Sequence, residues 1–251
     1  TIFAGVSAVT DQGRVLTVRA REVPEMVRGS RGASVTEMFS LGRGEKVVGL
    51  FGEANDPIML VTRKGVTKRI DSDALKRLRS GSSAINLKND DRVSAAFAAG
   101  DDSEVVMVAS DGQALRTPAN GISIQGPGAG GVVGMKLKPG ANLIAAGIVE
   151  FGAAVIIVSD EGAIKATDLA EIPSKGRATG GVRTVKWRDF ETTAVFAWVG
   201  RSQQLAAVVA DPLDEKKADN TPMPLSLELT RRDGLTASQE SRVLLVGEYL
   251  L

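Results

Sequence analysis

The densest group of reactive side chains is a run of cations in the stretch 63–79. Its members are Arg63, Lys64, Lys68, Arg69, Lys76, Arg77 and Arg79. Closely spaced cations of this kind are what a phosphate backbone requires. In a strand, neighbouring side chains such as Lys68 and Arg69 point to opposite faces, so the whole run cannot reach one ligand. The alternative is a solvated sheet edge, where Lys and Arg discourage association between sheets.

The sequence contains neither histidine nor cysteine. Disulfides, thiolate zinc sites, cysteine nucleophiles and Ser-His-Asp triads are therefore excluded within these residues. Histidine is the usual proton carrier near neutral pH, so its absence favours a binding or structural role. The lack of cysteine fits a reducing cytoplasm. No apolar run approaches the roughly 18 residues that a membrane span needs, so no membrane partner is expected.

Charge is unevenly distributed along the chain. The totals, 31 Lys and Arg against 30 Asp and Glu, nearly cancel. Residues 1–100, however, carry 16 basic and 11 acidic side chains, a balance of +5, whereas residues 101–200 and 201–251 are each at −2. An anionic partner would therefore prefer the first hundred residues.

A hairpin pattern recurs four times and must position these side chains. An apolar run, a polar pair, a glycine and a second strand follow one another around the marker glycines Gly13, Gly65, Gly112 and Gly162. The markers step by 52, 47 and 50 residues. A second glycine follows each marker, at Gly32, Gly81, Gly131 and Gly181. Periods of this size are typical of solenoids, propellers or arrays.

Each repeat predicts four short strands, the size of a propeller blade. We expect an all-β propeller or pinwheel of about five four-stranded blades in one repeat domain, 1–251. The blades are placed at about 1–53, 54–101, 102–151 and 152–201, with 202–251 as a degenerate fifth blade and tail. Because the last repeat diverges, the ring is expected to close imperfectly. Without an initiating Met, the chain is expected to be a fragment.

Basic residues recur at related positions of the repeats. One or two follow the marker glycine by three or four positions in three repeats, and two connections are basic and rich in glycine, residues 28–32 and 175–181. Glycine lets a backbone approach a phosphate while flanking cations pair with it; the alternative is a plain turn. The candidate DNA-binding residues are Arg28, Arg31, Arg63, Lys64, Lys68, Arg69, Lys76, Arg77, Arg79, Arg116, Lys165, Lys175, Arg177 and Arg183.

Other motifs receive structural interpretations. Residues 126–131 satisfy G-x-G-x-x-G, but Pro127 lacks an N–H and a strand follows, so a turn is predicted. Trp187 and Trp198 are predicted to lie in the core. Paired acids such as Asp90 and Asp91 are typical turn formers. We expect no catalytic residue, metal or cofactor in this chain.

Several stretches resemble the C-terminal domain of bacterial type IIA topoisomerase A subunits, which belong to DNA gyrase and topoisomerase IV. They are LVTRKGVTKR at 60–69, QGPGAGGVVGM at 125–135 and KGRATGGVR at 175–183. The resemblance covers residues 1 to about 200, and more weakly 196–198 and 231–234. Gyrase carries a Gln-Arg-Arg-Gly-Gly-Lys-Gly box on its first blade, which this chain lacks. Topoisomerase IV is therefore favoured, with gyrase missing its box-bearing blade as the alternative.

The resemblance implies a β-pinwheel, whose blades exchange an outer strand and whose basic rim binds and bends duplex DNA for strand passage. It also implies a cytoplasmic, nucleoid-associated holoenzyme of an A-subunit dimer and ATPase B subunits, using ATP and Mg. The family's catalytic tyrosine lies outside this domain, so the fragment alone is expected to be non-catalytic. The alternatives from other classes are a propeller scaffold that binds proteins and, less favoured, a propeller hydrolase.

Overall fold

The computed structural model describes residues 5–25, 27, 33–52, 55–203, 205–211, 214–219 and 221–248. The chain divides into two compact units. The first comprises residues 1–100 and 122–132, and the second comprises residues 101–121 and 133–251. Within the described residues, 18 strands form five antiparallel sheets, named I to V in chain order.

Sheets I and II belong to the first unit. Sheet I has the order β2-β1-β3 and is formed by β1 (Gly5–Thr10), β2 (Val15–Arg19) and β3 (Val47–Phe51). Sheet II has the order β6-β4-β5-β9 and is formed by β4 (Ile58–Thr62), β5 (Val66–Ile70), β6 (Val93–Ala98) and β9 (Val132–Val133). Short helices connect the strands, namely a 3-10 turn (Ala20–Glu22), α1 (Val35–Phe39) and α2 (Ser72–Lys76).

The second unit contains the other three sheets. Sheet III has the order β10-β7-β8-β13 and is formed by β7 (Glu104–Ala109), β8 (Gln113–Pro118), β10 (Leu143–Ile148) and β13 (Val182–Arg183). Sheet IV has the order β12-β11-β14 and is formed by β11 (Ala153–Ser159), β12 (Ile164–Asp168) and β14 (Ala194–Arg201). In sheet V, β15 (Leu205–Asp211) pairs with β16 (Asp214–Ala218), β17 (Met223–Leu225) and β18 (Val243–Glu248). Two 3-10 turns are Ala119–Gly121 and Leu169–Glu171.

The first hairpin strands of sheets II, III and IV each contain an uninterrupted apolar run, and in sheet IV this is because both faces of the sheet are packed. In β11, Val155 and Ile157 belong to the core shared with sheet III. Ile156 and Val158, on the opposite face, belong to the core shared with sheet V. A strand buried on both sides shows a continuous apolar run rather than an alternation, which explains the Val-Ile-Ile-Val sequence.

The repeat landmarks are turn positions. All four marker glycines have positive φ, between 75° and 79°, and they close the β1–β2, β4–β5, β7–β8 and β11–β12 hairpins. Of the second set, Gly81, Gly131 and Gly181 also have positive φ. Gly181 shows why: a Cβ there would overlap the carbonyl oxygen of Ala114 in the neighbouring strand.

The repeats exchange edge strands. After the second strand of a hairpin, the chain leaves its own sheet. It then pairs with the second hairpin strand of the preceding sheet. In sheet III, β13 from the next repeat pairs with β8, with Val182 opposite Ala114. The equivalent pairings are Arg14 with Ser83 on sheet I, β5 with β9 on sheet II and Ile164 with Ala237 on sheet IV. We call these stretches exchanged segments.

Carboxylates organise the turns that follow. Glu45 accepts hydrogen bonds from the Arg14 guanidinium at 2.6 and 2.8 Å and from the Gly42 N–H at 2.8 Å. Glu191 accepts from the hydroxyls of Ser159 at 2.8 Å and Thr236 at 2.6 Å. These buried acids are structural, because every contact ties one strand or turn to another.

The structure confirms the all-β prediction. Five small antiparallel sheets with exchanged edge strands are the architecture of a β-pinwheel. Trp187 packs against the core between sheets III and IV, and Trp198 against that between sheets IV and V, as expected. The proposed limits of the single domain and of its blades stay predictions.

Replacing Gly181 with Ala should destabilise the protein by more than about 2 kcal/mol, because positive φ and the overlap with Ala114 are both unfavourable for a side chain. Chemical denaturation measures the effect. Gly176→Ala is the matched control in the same segment, since nothing lies within 4 Å of a Cβ there. Equal stability of the two variants would contradict the close approach.

Hydrogen bonding by Arg14 lowers the pKa of Glu45 to about 2 from an ordinary value of 4.5. A carboxylate with a depressed folded pKa stabilises the protein above its unfolded pKa, and this stabilisation is lost as pH falls through the folded value. Glu45→Gln should therefore flatten the fall in stability between about pH 4.5 and pH 2. Denaturation midpoints across this range test it, with the exposed Glu37→Gln as control; an unchanged acid limb would contradict the assignment.

Candidate nucleic-acid interface

The exchanged segments form the outer edges of their sheets, and most of them carry exposed cations. On sheet I the segment contains Lys76 at the end of α2, followed by Arg77 and Arg79, and all three are exposed. Asp71 caps α2 by accepting from the Ala74 N–H at 2.9 Å, which fixes the direction of the basic stretch. Lys76 also lies 3.5 Å from Asp73.

On sheet III the exchanged segment contains Lys175, Arg177 and Arg183, which are exposed. The Arg177 guanidinium donates to the carbonyl oxygens of Gly121 at 3.0 Å and Val133 at 3.2 Å. Arg177 therefore fastens the segment while its charge stays in solvent. The Lys175 N–H bonds the carbonyl oxygen of Arg116 at 2.9 Å, which seats the segment on β8.

On sheet IV the exchanged segment contains Arg231 and Arg232. Arg232 donates to the carbonyl oxygen of Arg183 at 3.3 Å. Arg183 follows Val133 by 50 residues, so Arg232 repeats the contact that Arg177 makes one sheet earlier. In the sequence this Arg-Arg pair stands out only within the resemblance at 231–234, and the recurring contact assigns it to the same kind of edge.

The exchanged segment on sheet II is uncharged. Its residues, 122–132, include no Lys or Arg. The exposed cations of this sheet lie instead at its hairpin turn, where Arg63 and Lys64 project. The Lys64 ammonium donates to the carbonyl oxygen of Asn89, and the Lys64 N–H donates to Asp91 at 3.0 Å.

Lys68 was predicted to bind DNA, and the structure contradicts this. Its side chain is completely buried, and its ammonium donates to the carbonyl oxygens of Ala84, Gly126, Pro127 and Ala129 at 2.6–3.1 Å. Burial lowers the pKa of Lys68 to about 8. An ammonium enclosed by four carbonyls cannot contact a phosphate, so Lys68 is structural.

Lys165 is the third residue after its marker glycine, as Lys68 is, and it lies in sheet IV. It is also buried. Its ammonium donates to the hydroxyl of Thr230 at 2.7 Å and to that of Thr167 at 2.9 Å. Burial lowers its pKa to about 8. In both repeats, a buried lysine of the second hairpin strand donates hydrogen bonds to the exchanged segment and holds it on the sheet. The assignment of Lys68 and Lys165 to the DNA-binding set is therefore wrong, because both side chains are buried.

Arg69 and Arg116, the candidate arginines that follow the marker glycines by four positions, also make contacts within the protein. Arg69 is buried, and its guanidinium donates to the carbonyl oxygen of Ile122 at 2.7 Å. Arg116 is partly exposed, pairs with Glu104 and donates to the carbonyl oxygen of Leu169 at 3.2 Å. Arg69 is thereby removed from the candidate interface, and Arg116 contributes little net charge to it. Arg28 and Arg31 lie outside the described residues.

Five further cations were missed by the sequence analysis. Lys88, Lys138 and Arg188 stand at steps of 50, and Lys136 and Lys186 stand at the same step two positions earlier. Each follows the second glycine of its repeat by five or seven positions. All are exposed except Arg188, which is half-buried and donates to Thr236 and Ser238. Comparing single positions at the repeat spacing, rather than searching for basic runs, would have found them.

Other kinds of site receive no support in the described part of the chain. No group of three or more acidic side chains there is arranged to hold a metal ion. No described helix is long and apolar enough to cross a membrane.

The DNA gyrase C-terminal domain family, described as a beta-propeller, matches residues 6–51, 56–99, 103–150 and 153–189. These segments cover well over half of the chain and coincide with four successive repeats. The chain belongs to this family. It is thus a relative of the C-terminal domains of type IIA topoisomerase A subunits, as the sequence resemblance implied.

One curated relative is also a DNA gyrase A subunit. The chain is 29% identical over 206 residues to the DNA gyrase A subunit of Aminobacterium colombiense (strain DSM 12261 / ALA-1), covering 80% of this chain and 25% of that protein. It therefore spans about a quarter of the length of this curated relative.

Two solved structures share the fold. The C-terminal domain of DNA topoisomerase IV gives a TM-score of 0.84 at 21% identity, covering 98% of this chain and 79% of that one. The DNA gyrase A C-terminal domain gives a TM-score of 0.74 at 20% identity, covering 100% and 84%.

Lys68→Met should lower the free energy of unfolding by about 1–3 kcal/mol, because buried carbonyl oxygens lose their donor. It should also raise amide exchange in residues 124–131 of the exchanged segment. Lys46→Met, at an exposed lysine of the same unit, is the control and should change neither quantity. If Lys68→Met left stability and exchange unchanged while weakening binding to DNA, the structural role would be refuted.

Proposed function

We propose that this chain is the domain of an ATP-dependent type II topoisomerase A subunit that binds and bends duplex DNA. It would present the bent segment for passage through a break made elsewhere in the enzyme. Membership of the gyrase C-terminal domain family supports the assignment. The single observation that carries it at residue level is the exposure of cations on the exchanged segments, which form sheet edges.

The mechanism is electrostatic. Exposed Lys and Arg side chains on these segments neutralise backbone phosphates and release condensed counterions. Contacts to phosphates position a duplex without reading its bases, so binding is nearly independent of sequence. Bending a duplex costs free energy, which contacts to further phosphates along the edge offset. The modest net charge of +1 is compatible with this because the basic residues are concentrated on particular segments.

The parent enzyme is proposed to be a topoisomerase IV, because the first repeat lacks the Gln-Arg-Arg-Gly-Gly-Lys-Gly box of gyrase. A gyrase whose box-bearing repeat lies upstream is the alternative. In either enzyme the domain works in the cytoplasm, at the nucleoid, within a complex of an A-subunit dimer and B subunits. The B subunits use ATP and Mg, and this domain supplies no catalytic group.

Fluorescence anisotropy with a labelled duplex of about 40 base pairs, titrated from low to physiological salt, tests the proposal. We expect the logarithm of the association constant to fall linearly with that of the salt concentration. Changing Arg77 and Arg79 to Ala should reduce the slope by about 2 if each neutralises one phosphate. A variant with Lys175 and Arg183 changed to Ala should behave alike.

The control replaces Lys217, an exposed lysine of strand β16 in sheet V, with Ala. Its salt slope should equal that of the unchanged chain. If the unchanged chain fails to bind duplex even at low salt, the proposal is refuted and a protein-binding scaffold becomes the better hypothesis. Binding with a slope that neither double variant alters would place the interface elsewhere on the chain.

A further inference from the structure

A small basic cleft lies beside the β7–β8 hairpin turn in the second unit. It has a volume of about 140 Å³ and is lined by Asp111, Gln113, Lys136, Lys138, Gly180 and Gly181, among others. Since a water molecule takes about 30 Å³ of liquid, the cleft has room for a small hydrated anionic group. None of its lining cations belongs to the basic stretches on which the proposed function rests.

The backbone fixes the floor of this cleft. Residues 134–136 run parallel to residues 178–180, with the Ala178 N–H 2.5 Å from the Gly134 oxygen and the Lys136 N–H 3.0 Å from the Thr179 oxygen. Lys136 and Lys138 therefore project from a segment held on an exchanged edge. Gly180 carries no side chain and lies in this wall, which leaves it open to close approach by a ligand.

Charge in and around the cleft is positive. Lys136 and Lys138 are both exposed and line the cleft together with one carboxylate, that of Asp111, whose Oδ2 lies 3.0 Å from the Lys138 ammonium. Arg183 lies next to this wall, because it is the strand partner of Gln113. Three cations against one acid favour an anionic occupant, and paired ammonium groups suit the oxygens of a phosphate.

We propose that this cleft seats a single backbone phosphate of the bound duplex, held between Lys136 and Lys138. The proposal rests on the proposed function and adds a fixed contact point to it. The exposed edge cations bind wherever the duplex passes them, whereas the seat sets the register of the DNA on sheet III.

Asp111 weakens this seat. Its carboxylate competes with the phosphate for Lys138 and repels it. The equivalent position, one residue before the marker glycine, holds Lys64 in the second repeat and Glu161 in the fourth. The turn itself needs only one acceptor, since Asp111 Oδ1 receives the Gln113 N–H at 3.2 Å. Asn at this position would keep that acceptor and remove the repulsion.

A double-variant cycle on this chain tests the seat, with the same 40-base-pair duplex as probe. Lys136→Ala and Lys138→Ala should each weaken binding by about threefold to tenfold. Because both lysines hold one phosphate, the double variant should lose about 0.9 of salt slope rather than twice that, and its loss should be less than the product of the single losses. Asp111→Asn should strengthen binding several-fold.

The outcomes separate the seat from the function. If the unchanged chain binds duplex with a steep salt slope but the two lysine variants match it, the seat is overturned and the proposed function stands. Independent, multiplicative losses with a slope change of about 1.8 would mean two separate phosphates and would also overturn it. Absence of duplex binding by the unchanged chain would overturn both. Thermal unfolding of every variant, with Lys217→Ala as the control, shows that each is folded.

Discussion

The structure depends on satisfying the backbone groups along the outer strand of each hairpin. An open strand edge leaves N–H and C=O groups without partners and invites association with other chains. Sheets I to IV meet this constraint by receiving a segment from the following repeat. The segment must approach the hairpin strand more closely than a side chain allows, which is why Gly131 and Gly181 recur at the crossing. As a result, each of sheets I to IV has an exchanged segment along one edge, and these segments recur with the sequence repeat.

The same requirement determines the use of the basic residues. The side chain at the third position after each marker glycine is buried. This residue is Leu16 and Leu115 in two repeats and Lys68 and Lys165 in the other two. In the two repeats with lysine, the ammonium donates hydrogen bonds to the exchanged segment, whereas leucine at this position can only pack. A buried ammonium is tolerated because carbonyl and hydroxyl oxygens surround it, although burial still lowers its pKa. The buried lysines hold the edges in place, whereas most Lys and Arg side chains on the edges are exposed.

Sequence reasoning found the repeat and the fold because both depend on local signals. Turn glycines must have positive φ, and strands packed on both faces must be apolar, so the period of about 50 residues was visible. The site was only partly predictable. Arg77 and Lys175 lie in connections, where an exposed side chain is the expectation. The orientation of Lys68 depends on carbonyls of residues 126–129, which the following repeat supplies, and no local pattern encodes that partner.

The distribution of charge over the edges has a functional consequence. The segment on sheet II carries no cation, and its Gly-Pro-Gly-Ala stretch turns carbonyl oxygens inward to Lys68. The segment on sheet IV is also held by a buried ammonium, that of Lys165, yet it carries Arg231 and Arg232. A buried lysine therefore does not exclude cations from an edge, and the charge differs from edge to edge: it is present on sheets I, III and IV and absent from sheet II. If the chain binds duplex DNA as proposed, phosphate contacts are expected on the segments of sheets I, III and IV rather than in an even series over all four edges.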